Sequence, residues 1–172
     1  MIEVRPIEGT EINDAVVLWK ACGLVRPHND AAVDAAQALK GQNAAIIGAI
    51  AGQHLIGAAM IAWDGAQGWI SYLGVERAFR RWGLGRKLVR VCEDWLGQSA
   101  PSHIQLMARA ETDEAARFYK GIGYEEKTPG VLFQASANAI LIAMAMFKAS
   151  CGKRHSPAFP GYFRDQEQMD FT

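Results

Sequence analysis

The stretch Arg80-Arg81-Trp82-Gly83-Leu84-Gly85-Arg86-Lys87 constrains this chain more than any other. It follows a strand-like run, Trp69 to Val75, and it opens an amphipathic helix. Two glycines one residue apart allow a tight turn and a close approach of backbone to ligand. Their amides, with the free N–H groups at the start of the next helix, would converge on one concavity. Such a nest attracts anions, phosphate above all, and the helix dipole adds about 0.3–1 kcal/mol for an exposed charge. With the cations Arg80, Arg81, Arg86 and Lys87 around it, the stretch reads as a pyrophosphate cradle. An ordinary helix start with a basic surface patch is the alternative.

Two common phosphate motifs fail on residues. A dinucleotide fingerprint needs a third glycine where Leu88 stands, and a P-loop needs Ser or Thr after its lysine, where Lys87 is again followed by Leu88. Bulk properties narrow the field further. The 172 residues suit one domain with a real core. Lys plus Arg (18) equals Asp plus Glu (18), which gives no net electrostatic case for nucleic acid. Cys22, Cys92 and Cys151 are far apart and odd in number, so neither a disulfide framework nor a zinc spacing can be built. The four histidines show no metal-like pairing, and no metal is expected. The N-terminus starts with a strand rather than an apolar signal segment, and the expected location is cytoplasmic.

Periodicity gives a mixed α/β order. Strands are expected over Ile2 to Ile7, Ala44 to Ala51, His54 to Trp63, Trp69 to Val75 and His103 to Ala108, with a Gly52-Gln53 hairpin turn. A further pair, Tyr124 to Thr128 and Val131 to Ala135, would meet across Pro129-Gly130. Thr10 is the expected cap of a first helix reaching about Cys22. Asn29 or Asp30 caps a second that stops at Gly41, and Thr112 caps the helix carrying Tyr119. On the helix after the cradle, Leu84, Leu88, Val91, Cys92, Trp95 and Leu96 form the apolar stripe. Arg86, Arg90, Glu93 and Asp94 are placed on its solvated side. The apolar run Ala139 to Phe147 falls short of the roughly twenty residues a membrane span needs. It is expected to be a buried terminal element or, next, a homodimer contact; from Cys151 on, an irregular tail is expected.

The spacing Arg-x-x-Gly-x-Gly resembles the coenzyme A signature of the GNAT superfamily of N-acetyltransferases. A second hallmark follows in the right order, Ala115-Ala116-Arg117-Phe118-Tyr119-Lys120-Gly121-Ile122-Gly123-Tyr124. The segments Arg26 to Asp30, Trp63-Asp64-Gly65 and Ile104 to Arg109 are similar to the small bacterial YpeA-like subgroup. The resemblance covers residues 1 to about 133. It implies a GNAT domain over 1–135, with a mostly antiparallel sheet splayed at the cofactor site and flanked by helices. Residues 136–172 depart from it and have no assigned role. The implied reaction is acetyl transfer from acetyl-CoA to a primary amine of a small molecule or protein, by direct attack through a tetrahedral intermediate. The alternatives are a non-catalytic acyl-CoA sensor and a partner-binding module.

The same resemblance implies site residues. The strand at Leu73-Gly74-Val75 would splay from the Ile104–Arg109 strand and grip the pantetheine arm, with Gly74 as the expected bulge site and the Val75 amide facing the thioester carbonyl. Arg80, Arg81, Trp82, Gly83, Leu84, Gly85, Arg86, Lys87, Thr112, Phe118 and Tyr119 would complete the cofactor site. Tyr119 would be the general acid for the departing thiolate; read by its stripe, it is a core aromatic, and the two roles can coexist. Residues give no clear base: Asp64, Asp30, Glu76 and Tyr72 border the region, with Asp64 the weak candidate, although Asp64 also reads as a turn residue and Asp30 as a cap. Arg26, His28, Asn29, Asp30 and Tyr72 are candidates for the acceptor site, with a plain solvated loop as the alternative for the first three.

Overall fold

The structure, a computed structural model, describes residues 1–27, 30–99, 101–107, 113–128 and 132–136. Seven strands form one sheet: β1 (Ile2–Pro6), β2 (Ala44–Ala51), β3 (His54–Trp63), β4 (Gly68–Val75), β5 (His103–Met107), β6 (Glu125–Thr128) and β7 (Leu132–Ser136). Their order is β1-β2-β3-β4-β5-β7-β6, antiparallel throughout except for the β4–β5 pair. Four helices flank it: α1 (Ile12–Ala21), α2 (Ala31–Lys40), α3 (Leu84–Gly97) and α4 (Asp113–Gly121). This is the mixed, mostly antiparallel architecture expected from the sequence.

The two faces of the sheet carry different helices. On one, Val16 and Trp19 of α1 and Ala31, Ala35 and Ala38 of α2 bury Ile46, Ile50, Leu55 and Ala58. On the other, Leu84, Leu88, Val89, Cys92 and Leu96 of α3, with Tyr119 of α4, cover Ile47, Ile56, Ile61, Ile70 and Phe133. Coverage on both sides is why β2 reads as a nearly unbroken apolar run, Ala-Ala-Ile-Ile-Gly-Ala-Ile-Ala, rather than alternating. The small residues Ala31, Ala35 and Ala38 let α2 sit close to the sheet.

Three local expectations are corrected. Thr10 does not cap α1; a short 3-10 turn over Gly9–Glu11 precedes it, closed by a reciprocal Glu8–Glu11 box. There the Glu11 carboxylate accepts both the Glu8 amide at 2.9 Å and the Arg5 fork, so a longer acid replaces the hydroxyl. Glu93 is not on the solvated side of α3. It is buried and accepts a 2.9 Å hydrogen bond from the Tyr124 hydroxyl. Val89 takes a fully covered place, while Val91 and Trp95 are only half-buried. The bulge in β4 lies not at Gly74 but at Tyr72–Leu73: the pairing steps from Gly74↔Ala58 to Ser71↔Met60, leaving two residues opposite Ala59. Tyr72 itself carries the left-handed backbone, with φ 52°. Gly74 is required for another reason, since a Cβ there would stand 3.1 Å from Leu24 Cδ1 and 3.2 Å from Cys22 Sγ. The expected Thr112 cap, the Pro129-Gly130 turn, Ala108, Arg109 and the segment beyond Ser136 lie outside the described residues. Among the described residues no helix is long and apolar enough to cross a membrane, and no group of His, Cys, Asp and Glu could hold a metal ion.

Candidate active site

The cradle forms where the chain leaves β4, makes a 3-10 turn over Arg77–Phe79, and enters α3. Arg81 (φ 69°) and Gly83 (φ 79°) are both left-handed, so the backbone reverses twice within three residues. Helical bonding begins with the Lys87 amide on the Gly83 carbonyl at 3.0 Å. The amides of Leu84, Gly85 and Arg86 therefore lack intrahelical acceptors, and no side chain caps Gly83. This is an uncapped helix start, whose free amides and dipole suit an anion. Its two glycines have different tasks. A Cβ on Gly83 would meet nothing within 4 Å, so Gly83 is needed for its conformation and leaves space in front of it. A Cβ on Gly85 would lie 3.3 Å from Phe118 Cζ and 3.9 Å from Val75 Cγ2. Gly85 thus lets α3, α4 and the end of β4 converge.

The four cations do not all ring the cradle with open forks. Arg80 Nε donates to the Val75 carbonyl at 2.9 Å, Arg81 pairs with Glu114 at 3.2 Å, and Arg86 donates to the Gly121 carbonyl at 3.2 Å. These contacts tie the loop to β4 and to both ends of α4. Lys87 lines an open groove with Ile2, Phe79, Trp82, Gly83 and Leu84. Trp82 is 74% exposed and meets Phe79 edge-on at 6.0 Å.

Beside the cradle the described pairing of β4 with β5 comes to an end. β4 and β5 pair only from Gly68↔Ile104 to Ile70↔Leu106, so Leu73, Gly74 and Val75 run on with no described partner on that side. The Glu76 amide bonds the Ile56 carbonyl at 2.8 Å, which makes the preceding opposed pair, Val75 and Gly57, a non-hydrogen-bonded one. The Val75 N–H and C=O therefore point away from β3, into the gap. The carbonyl is occupied by Arg80 and by the Cys22 thiol, which donates at 3.5 Å; the amide is available. Cys22 also lies 3.8 Å from Arg80 Nη2, a contact that disulfide arithmetic had no means of finding.

Phe118 links α4 to this gap through Gly85, and Tyr119 packs edge-on against Phe118 at 5.2 Å and against Phe133 at 5.0 Å. Tyr119 is buried, and burial pushes its phenol up to about 12. It is a core aromatic whose hydroxyl holds its proton firmly.

On the other face, Tyr72 projects from the bulge, stacks on Trp19 at 4.8 Å and donates 2.7 Å to Asp34 Oδ2 on α2. Asp34 was not singled out from the sequence, where an acid in the first turn of a helix reads as a dipole partner. The other carboxylates have structural partners. Asp64 accepts from the Ala66 and Gln67 amides and from Trp69 Nε1, and these bonds, the Trp69 one first, hold its carboxyl below the ordinary range. It also sits beyond the opposite end of β4 from Val75, roughly 23 Å away at the usual rise per residue. Asp30 caps α2 through the Ala32 and Val33 amides, and Glu76 meets His54 at 3.2 Å. Arg26 is exposed on the loop after α1. His28, Asn29 and Thr112 lie outside the described residues.

Known proteins share this fold. An acetyltransferase of Yersinia enterocolitica is 27% identical over 124 residues, which is 72% of this chain and 88% of that protein. The structure of AAC(6')-Iy with a bisubstrate analogue of coenzyme A superposes with a TM-score of 0.64 at 19% identity, covering 74% of this chain and 93% of that one. A PaiA N-acetyltransferase of Thermoplasma acidophilum, in complex with coenzyme A, gives 0.66 at 15% identity, covering 79% and 99%. At such identities the two structures speak for the fold. Residues 14–124, from the first helix to the tyrosine that closes the second hallmark, match the model of the acetyltransferase (GNAT) family, and the chain belongs to that family as an acetyl-CoA-dependent N-acetyltransferase.

Proposed function

We infer that this enzyme seats the diphosphate of acetyl-CoA on the amides of Leu84, Gly85 and Arg86 and carries out transfer to an amine at the β4–β5 gap. The observation that carries this reading is the convergence on Gly85 of an uncapped helix start, the Phe118 ring and the side chain of Val75, a residue whose amide is turned away from β3. The fit is chemical as well as spatial: main-chain donors and the helix dipole suit a diphosphate, and the space before Gly83 admits one. Trp82 and Lys87 flank the nucleotide end, while Arg80, Arg81 and Arg86 hold the loop and add positive field. The edge of Leu73, Gly74 and Val75, which has no described strand partner on that side, offers main-chain groups, the Val75 amide among them, to an extended pantetheine arm.

Acetyl-CoA supplies an activated acyl group as a thioester. The Val75 N–H donates to the carbonyl oxygen as charge develops there, a contribution of roughly 2.7–4 kcal/mol for a donor so placed. Tyr119 donates a hydrogen bond to the departing sulfur. A phenol near 12 is too weak an acid to surrender its proton to a thiolate whose thiol titrates at about 8.5, so the sulfur takes its final proton from water. Asp64 is too far from Val75 to take the amine's proton, and Asp30 is committed to α2. The amine therefore enters neutral or loses its proton to water.

The test is release of coenzyme A thiol from acetyl-CoA in the presence of a panel of primary amines. Amine-dependent release that Val75→Pro abolishes, by deleting one N–H, is the expected result. Release unaffected by that substitution would remove the amide from the mechanism.

A further inference from the structure

Asp34 stands out on the face of the sheet opposite the cradle. It is half-buried, its Oδ2 is taken by a neutral hydroxyl, and no ion pair from a described residue reaches it. A half-buried carboxylate whose described partner is a neutral hydroxyl attracts a cation that can reach it. Beside it the Tyr72 ring stacks on the buried Trp19 ring, which fixes the hydroxyl that Asp34 holds. The Tyr72 ring hangs from the β4 bulge, three residues before the Val75 amide that faces the gap, roughly 10 Å along the strand. Cys22 reaches the Val75 carbonyl from the α1 side, so the gap is bordered by the α1–α2 face as well as by the α3–α4 face. An amine arriving at the gap from the α1–α2 face passes Asp34 and Tyr72.

We propose that Asp34, with Tyr72, anchors a second ammonium of the acceptor, so that the enzyme prefers a linear amine bearing two positive charges. The inference rests on the acetyl-transfer reading of the gap. Asp34 binds the acceptor's remote charge while the other nitrogen meets the acyl carbon near Val75. Arg26, the described cation on the neighbouring loop, makes no ion pair with Asp34 and would favour the opposite, a carboxylate-bearing acceptor.

Three acceptors of equal chain length separate these possibilities: hexamethylenediamine, hexylamine and aminocaproate. The expected kcat/KM for the diamine exceeds that for hexylamine by about fivefold, the upper scale of one partly exposed charge contact. Asp34→Asn should collapse this ratio to within about twofold by raising the diamine KM, with Asp34→Glu restoring part of it and the KM for acetyl-CoA unmoved. Tyr72→Phe, which keeps the carboxylate, should retain most of the preference. If Asp34 only tethers Tyr72, both variants will change all three acceptors alike, and the proposal is overturned. A wild-type preference for hexylamine or aminocaproate, or no thiol release with the diamine, overturns it too. Thiol release with either other amine would still uphold acetyl transfer at the gap, and its absence with every amine would sink that reading as well.

Discussion

The two faces of the sheet are built from different materials. The ligand site proposed on the α3–α4 face is made of main-chain groups set by a short local sequence: Gly83, the three amides that follow it, and the end of β4. The α1–α2 face has side chains drawn from three elements, Trp19, Asp34 and Tyr72, brought together by the bulge. A backbone nest depends on a few dihedral angles, so it can be carried by a motif. A side-chain constellation depends on how whole elements pack, so it can change its chemistry without disturbing the fold.

The strongest way to break this contrast is to damage the main-chain site alone. Gly83→Asp places a carboxylate where the diphosphate is proposed to sit, and like-charge juxtaposition costs several kcal/mol. Calorimetry should show a loss of about a thousandfold in coenzyme A affinity with the fold intact. Unchanged affinity would mean that the cofactor docks elsewhere. Next in size, Tyr119→Phe should lower kcat by about a hundredfold, the upper scale of a hydrogen bond to a charged group, with coenzyme A affinity nearly the same. Equal turnover would reduce Tyr119 to its packing role against Phe118 and Phe133.

A smaller effect belongs to the core beneath the donor face. Burial, first, raises the Glu93 carboxyl to about 7, while the Tyr124 hydroxyl bond lowers it again in part. The folded state thus keeps this proton at pH values where the unfolded chain, titrating near 4.5, has lost it. Stability contributed by Glu93 should fall as pH rises from about 4.5 to about 7 and level off above, by on the order of 1–3 kcal/mol. Urea unfolding of Glu93→Gln, which keeps an acceptor for Tyr124, should lose that slope and be the more stable protein at pH 8. A slope identical to wild type would place the titration on another group. The smallest expected effect is that of Asp64→Asn: the loop before β4 loosens, yet kcat and its pH profile stay as they were. A large fall in kcat would bring Asp64 back as the base against the geometry.

Much of the architecture could be read directly, because it is local. The β2 and β3 boundaries follow from apolar runs on either side of Gly52-Gln53, and Asp30 caps α2 as a short acid before an alanine-rich run should. Glu93 was misplaced for a physical reason. Its position on the helical wheel borders the apolar stripe, and only the arrival of Tyr124 from the end of α4 supplies the partner that permits burial. The Arg80, Arg81 and Arg86 side chains were assigned to the ligand because charge near a nest is all a sequence displays. The contacts that they make with Val75, Glu114 and Gly121 on other elements could not be read there.

By itself the sequence determined the family, the strand–turn–helix cradle and the conformation at Gly83, since each depends on residues adjacent along the chain. Tertiary structure decided where β4 bulges, that Gly85 serves helix contact, and that β7 lies between β5 and β6. It alone set Asp34 against Tyr72. Hydrogen-bond partners and burial at those positions come from elements far away in sequence, and no local pattern encodes which distant side chain will arrive.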